Sequence, residues 1–104
     1  MSRAATKAYN HDTPSGRLSA AVNLLSRGNE PEHDLCRALV ERSALDAAGF
    51  IETGGGVSAR SIPRIKMEGR EFFYSEWGCA VCREIGLEAR RVLRWVEQTV
   101  REVN

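Results

Sequence analysis

The sequence contains few of the residues on which disulfide frameworks, membrane spans and catalytic motifs depend. Among 104 residues there are three cysteines, three prolines and two histidines, and aromatic residues make up 7% of the chain. An odd number of cysteines excludes a complete set of internal disulfides, so we expect reduced thiols. No apolar run approaches the ~18 residues of a membrane-spanning helix, and residues 1–13 show no basic-then-apolar leader. These absences predict a cytoplasmic protein with no membrane partner.

An excess of one charge is also absent, because 15 basic residues face 14 acidic residues and the formal net charge is +1. A basic footprint over the whole domain is therefore missing, and any nucleic-acid binding requires a local patch. The hydrophobic content of 42% is ordinary for a folded domain. The length predicts one domain with its own core, over residues 13–104, after a flexible N-terminal segment over residues 1–12.

Two helices are predicted in the first half of the chain. Thr13 followed by Pro14 is typical of a helix start, and apolar residues then recur at helical spacing. A second helix is predicted from Pro31 to Gly49, and the short link between the two favours an antiparallel helical hairpin. The three consecutive glycines at 54–56 predict a flexible loop, since a P-loop would also need a following Lys-Ser/Thr.

Residues 62–74 are predicted to form an antiparallel β-hairpin. A two-residue turn at Glu68 and Gly69 pairs Lys66 with Glu71 across the strands, which matches opposite charges on one face. The apolar side chains then share the other face: Ile65, Met67, Phe72 and Tyr74. This consistency favours strands over a helix for the segment.

The remainder of the chain is predicted to be helical, with Ser75 as the N-cap. Gly86 either stops a short helix before a longer one begins or lies inside one continuous helix. The predicted fold is therefore α+β. It combines two N-terminal helices, a glycine-rich loop, one antiparallel β-hairpin and a C-terminal helical segment in a single small domain.

The strongest chemical pattern consists of a His-x-x-Cys pair and a Cys-x-x-Cys pair, formed by His33, Cys36, Cys79 and Cys82. Zinc prefers four nitrogen or sulfur ligands, and residues three apart on a helix share a face, so each pair can chelate. The opposing interpretation is packing, because Cys36 and Cys82 lie on predicted core faces and free cysteine behaves as a small apolar residue. Packing without a cofactor is the preferred interpretation, and a zinc-stabilised interaction module is the alternative.

Catalytic patterns are scarce. Cys79-Ala-Val-Cys82 is typical of a redox pair at a helix start, but a thioredoxin-type site belongs beside a parallel sheet that this chain does not predict. Neither a nucleophile elbow nor a His-Glu-x-x-His motif is present, and one of the two histidines lies in the N-terminal segment. We therefore expect no catalytic residues and no enzyme activity.

Basic residues follow the predicted hairpin and the helical segment after it, and they provide a candidate patch for DNA. They are Arg60, Arg64, Lys66, Arg70, Arg83, Arg90, Arg91 and Arg94. A basic hairpin beside a helix can follow a phosphate backbone. The hairpin and the Cys-Arg-Glu-Ile-Gly-Leu segment at 82–87 resemble the start of phage antirepressor domains over about a quarter of the chain. A small DNA-binding regulator is thus one hypothesis, although interspersed glutamates dilute the patch.

The preferred hypothesis is a protein-binding module that acts as an inhibitor or adaptor. Aromatic residues flanked by arginines are the types enriched in interface hot spots. The candidate anchors are Phe73, Trp77 and Trp95, and the candidate charged contacts are Arg64, Arg70, Arg90, Arg91 and Arg94. Small inhibitors and anti-defence proteins carried by phages and mobile elements share this size and chemistry, which is an analogy only. The oligomeric state, monomer or homodimer, is left open.

Overall fold

The computed structural model describes residues 10–103. Within that range the protein contains five α-helices and no β-strand. The helices are α1 (Pro14–Leu25), α2 (Pro31–Ala48), α3 (Ile62–Phe72), α4 (Glu76–Glu84) and α5 (Ala89–Val103), with a short 3₁₀ turn at Ala59–Ser61 before α3. Of the predicted N-terminal segment, residues 1–12, the first nine residues lie outside the described range.

The two predicted N-terminal helices are confirmed, because their ends are specified locally. The Thr13 Oγ1 atom accepts a hydrogen bond from the Gly16 amide at 3.1 Å, which caps the start of α1. The α2 helix ends at Gly49, whose φ of 94° lies in the left-handed region that glycine tolerates best. The predicted glycine-rich loop is also confirmed, and its only regular feature is a tight turn that pairs Gly54 with Val57.

The predicted α+β class and its β-hairpin are wrong, because residues 62–72 form the helix α3. The apolar residues of this segment fit both a strand and a helix. They alternate, as in a strand. However, Ile62, Ile65, Gly69 and Phe72 also recur every three or four residues, as on one face of a helix, and they face inward. Pro63 lies in the first turn of α3, where a missing amide hydrogen costs nothing. The helix brings Arg64 within 3.7 Å of Glu68.

The C-terminal segment is divided at Gly86, as one of the two predicted alternatives requires. Gly86 has a φ of 72°, and the Leu87 amide donates to the Cys82 carbonyl at 2.9 Å, which is a Schellman-type stop. Ser75 caps the start of α4 as predicted, since its Oγ atom accepts from the Gly78 amide at 2.9 Å. Two separate helices, α4 and α5, therefore close the domain.

One hydrophobic core joins all five helices. Its largest fully buried side chains are Ile85, Val22, Val40, Val92 and Val96. Within residues 10–103, every helix is too short or too polar to span a lipid bilayer.

A buried arginine, which the sequence did not reveal, fixes the link between α1 and α2. Arg37 is 3% exposed and donates to the Ser26 hydroxyl at 2.7 Å, to an Asp34 carboxylate oxygen at 2.9 Å and to the Gly28 carbonyl. These partners satisfy a charge that would otherwise be costly to bury. The short link is therefore held by side-chain hydrogen bonds, and also by the Arg27 amide, which donates to the Ile85 carbonyl at 2.7 Å.

Candidate interaction surface

Two large aromatic side chains lie exposed where α3 turns into α4. Tyr74 is 70% exposed and Trp77 is 61% exposed. Ser75, between them, caps α4, so the first turn of that helix is rigid where the two rings project. We call Tyr74 and Trp77 the aromatic corner.

The Trp77 ring is held in place by the core. It lies edge-on to Phe72, with 5.3 Å between ring centroids and 87° between planes. Phe72 in turn lies edge-on to Phe73 at 5.1 Å and 90°. Edge-to-face pairs of this kind are favourable by about 1 kcal/mol beyond the area they bury. Trp77 is therefore an exposed ring with a fixed orientation.

An open groove of 490 Å³ runs from the aromatic corner along α4, lined by Tyr74, Cys79, Ala80 and Arg83 among others. It presents the Tyr74 ring, the partly exposed Cys79 thiol, the Glu76 carboxylate and the Arg83 guanidinium. The groove therefore combines an aromatic ring with one charge of each sign.

The other predicted anchors lie in different environments. Phe73 is only 2% exposed and belongs to the hydrophobic core, so it cannot reach a partner while the fold is intact. Trp95 is partly buried against that core, and the Arg91 guanidinium lies 5.4 Å from its ring centroid. Of the three predicted anchors, Trp77 is the one whose ring faces solvent. Tyr74, which the hairpin prediction placed on the apolar face with Ile65, Met67 and Phe72, is also exposed.

The predicted charged contacts are divided between two places. Arg64 pairs with Glu68 on the same helix, α3. Among the described residues, no ion pair connects Arg64 with α5. Arg70 reaches α5, where its Nη1 atom lies 4.0 Å from Glu97 Oε1. Arg90 and Arg94 are exposed on that helix, about two turns and one turn before Glu97, respectively. The basic patch on a hairpin therefore does not exist, and a different basic surface forms around α5.

The four predicted zinc ligands are arranged for packing. His33 accepts a hydrogen bond at Nδ1 from the Glu30 amide at 3.1 Å, and its Nε2 atom lies 3.7 Å from Glu84 Oε1. Both ring nitrogens therefore face other partners and not Cys36, three residues along α2. Across residues 10–103, no group of three or more histidine, cysteine, aspartate or glutamate side chains is arranged to hold a metal ion.

The three cysteines are free thiols, and they differ in exposure. Burial raises the pKa of Cys82 to about 12, with smaller contributions from the nearby Cys79 and Cys36 thiols. Cys82 therefore stays protonated in the folded protein and does not act as an attacking thiolate. The described part of the chain also lacks the sheet beside which a thioredoxin-type pair lies. The Cys79 thiol instead donates to the Phe73 carbonyl at 3.4 Å.

In comparisons with known proteins, the chain matched no protein-family model, no curated protein and no solved structure.

Proposed function

We propose that this protein is a non-enzymatic binding protein that acts on another protein as an inhibitor or adaptor. The aromatic corner is its proposed contact surface. The observation that carries this proposal is the pair of exposed rings, Tyr74 and Trp77, beside a buried Phe73. Tryptophan and tyrosine dominate hot spots because they bury much area with few rotatable bonds. The protein's small size fits the analogy with inhibitors carried by phages and mobile elements.

The fixed orientation of Trp77 supports this role. A ring already held against Phe72 loses little side-chain entropy when a partner covers it, so more of the contact energy becomes affinity. Removing such an anchor costs about 2 kcal/mol or more, which is about a 30-fold loss of affinity. Arg83, which also lines the groove, is suited to a carboxylate on the partner.

The three free thiols fit a reducing compartment, so the proposed location is the cytoplasm. The contacts of both His33 nitrogens favour packing over a zinc-stabilised module. Because residues 62–72 are helical, the basic hairpin of the predicted DNA-binding regulator is absent.

The test is affinity capture from a lysate of the source organism, with nuclease added, followed by mass spectrometry. The tagged protein is compared with the double variant Tyr74→Ala/Trp77→Ala and with Leu24→Ala. Leu24 is a matched control because it is a large exposed apolar residue on α1, outside the aromatic corner. We expect one defined protein to be retained by the unmodified chain and by Leu24→Ala, and lost from the double variant.

Folding of each variant is checked by the thermal unfolding midpoint, since Trp77 also packs on Phe72. Equal capture by all three chains would contradict the assignment of the aromatic corner. Material that disappears from every chain after nuclease treatment would contradict protein binding itself.

A further inference from the structure

The outer side of α5 carries a row of arginines. Arg90, Arg94 and Arg101 are exposed, and at 100° per residue they fall within about 60° of the helix circumference. The row is about 16 Å long, because eleven residues separate its ends. Arg91 lies about 100° around the helix from Arg90, over the Trp95 ring.

Arginines from neighbouring helices lie beside this row and pair with glutamates of α5. Arg70 of α3 lies 4.0 Å from Glu97, and Arg17 of α1 lies 2.7 Å from Glu102. We define the α5 arginine face by its six cations: Arg17, Arg70, Arg90, Arg91, Arg94 and Arg101.

The resulting charge is strongly segregated. Six arginines and three glutamates (Glu88, Glu97 and Glu102) give the α5 arginine face a charge of +3, whereas the whole chain carries +1. Among residues 10–103, no carboxylate lies within 4.0 Å of Arg90, Arg94 or Arg101. Glu88, just before α5, is about 160° around the helix from Arg90 and so lies off the row. The face therefore keeps a large unneutralised charge on an otherwise acidic molecule.

The chemistry of the row indicates which anion it fits. The exposed residues along the row are Arg90, Arg94, Glu97 and Arg101. None of them is apolar or aromatic, so the row lacks the desolvated anchors of a protein interface. Phosphate-backbone contacts need only charge and hydrogen-bond donors, and arginine supplies both in a bidentate form. Each strand of a duplex presents a phosphate about every 3.4 Å, which is dense enough for a row of this length.

We propose that the α5 arginine face binds the phosphate backbone of double-stranded DNA without reading its sequence. This site is separate from the aromatic corner and uses different residues. Four phosphate contacts predict that affinity falls about 100-fold between 50 mM and 200 mM salt.

The test is fluorescence anisotropy with a random-sequence duplex, across that salt range. We expect Arg90→Gln/Arg94→Gln to weaken binding at least about tenfold at 50 mM salt, because two phosphate contacts are lost. The matched control is Arg60→Gln/Arg64→Gln, which removes the same charge from exposed residues outside the face and is expected to change affinity less than threefold.

Three results would overturn the proposal: no binding at 50 mM salt, an equal loss in both double variants, or equal affinity for poly-L-glutamate. The last result would indicate an acidic protein as the ligand. The Tyr74→Ala/Trp77→Ala variant is expected to bind DNA normally, so failure of this site and failure of the aromatic corner are distinguishable. Circular dichroism confirms that each variant is folded.

Discussion

Gly69 of α3 lies against the backbone of α2 so closely that a Cβ atom at Gly69 would be 2.7 Å from the Ala47 amide nitrogen. The same atom would be 2.7 Å from the Ser43 carbonyl oxygen. Backbone atoms cannot rotate away as side chains do, so the two helices must separate to admit even a methyl group.

Gly69→Ala is therefore expected to lower the free energy of unfolding by about 2 kcal/mol, as overpacked cores do. The sign of this change is diagnostic, because at an uncrowded helix position the replacement of glycine by alanine stabilises the helix by about 1 kcal/mol. The measurement is urea unfolding followed by circular dichroism. Glu68→Ala, one residue away and exposed, serves as the control and is expected to stay within about 0.5 kcal/mol. A stabilising Gly69→Ala would show that α3 does not pack on α2 in this way.

Arg37→Met is expected to lower the free energy of unfolding by about 3 kcal/mol. Methionine fills much of the volume but leaves the Ser26 hydroxyl and the Gly28 carbonyl without their buried donor. Arg42→Met is the matched control, since Arg42 is exposed and its pair with Asp46 at 3.6 Å is worth about 0.5 kcal/mol or less. If both variants lost the same stability, the clamp on the α1–α2 link would be disproved.

The thiols are expected to react in two classes. Cys36 and Cys79 are partly exposed, whereas Cys82 is fully buried and its pKa is raised to about 12, so it stays protonated in the folded protein. An aromatic disulfide reagent at pH 8 should modify two thiols in the native protein and the third only in denaturant. For Cys82→Ala the count should be two under both conditions. Rapid modification of all three native thiols would contradict the buried position of Cys82.

Asp46 is expected to make stability depend on pH. Burial raises the pKa of Asp46 above its ordinary 3.8, with Arg42 lowering it and Glu68 raising it further. The folded state then holds a proton more tightly than the unfolded state, so the ionised carboxylate destabilises the fold at neutral pH. This cost disappears as the pH falls through the raised pKa.

Asp46→Asn is accordingly expected to be more stable than the unmodified protein at pH 7, and the difference should shrink as the pH approaches 3.8. Urea midpoints measured between pH 7 and pH 4 provide the comparison. Glu52→Gln removes one carboxylate from an exposed loop and serves as the control for the loss of one negative charge. A difference that grew on acidification would mean that the pKa shift has the opposite sign.

The helix ends could be predicted from the sequence because they depend on local groups. Thr13, Ser75 and Gly49 act within one turn of their own positions, so a cap or stop residue is sufficient evidence. Residues 62–72 could not be assigned in this way, because their apolar pattern fits both a strand and a helix. The deciding contact, Gly69 against α2, joins residues that are far apart in sequence.

The candidate surface was predictable by residue type and not by position. The enrichment of tryptophan at interfaces predicts Trp77 as an anchor, and the structure exposes its ring. Phe73 and Tyr74 are adjacent in sequence, yet one is buried and the other exposed, since the turn between α3 and α4 directs them to opposite sides. The arginine face depends on Arg17 and Arg70 meeting α5, which no local pattern shows.

The proposed binding of another protein at the aromatic corner can be measured. Its most direct measurement is the dissociation constant for the captured partner, determined with nuclease-treated material for the unmodified chain, Trp77→Ala and Leu24→Ala. We expect Trp77→Ala to bind about 30-fold more weakly and Leu24→Ala to bind within about twofold of the unmodified chain. A folded Trp77→Ala that binds as tightly as the unmodified chain would contradict the proposal.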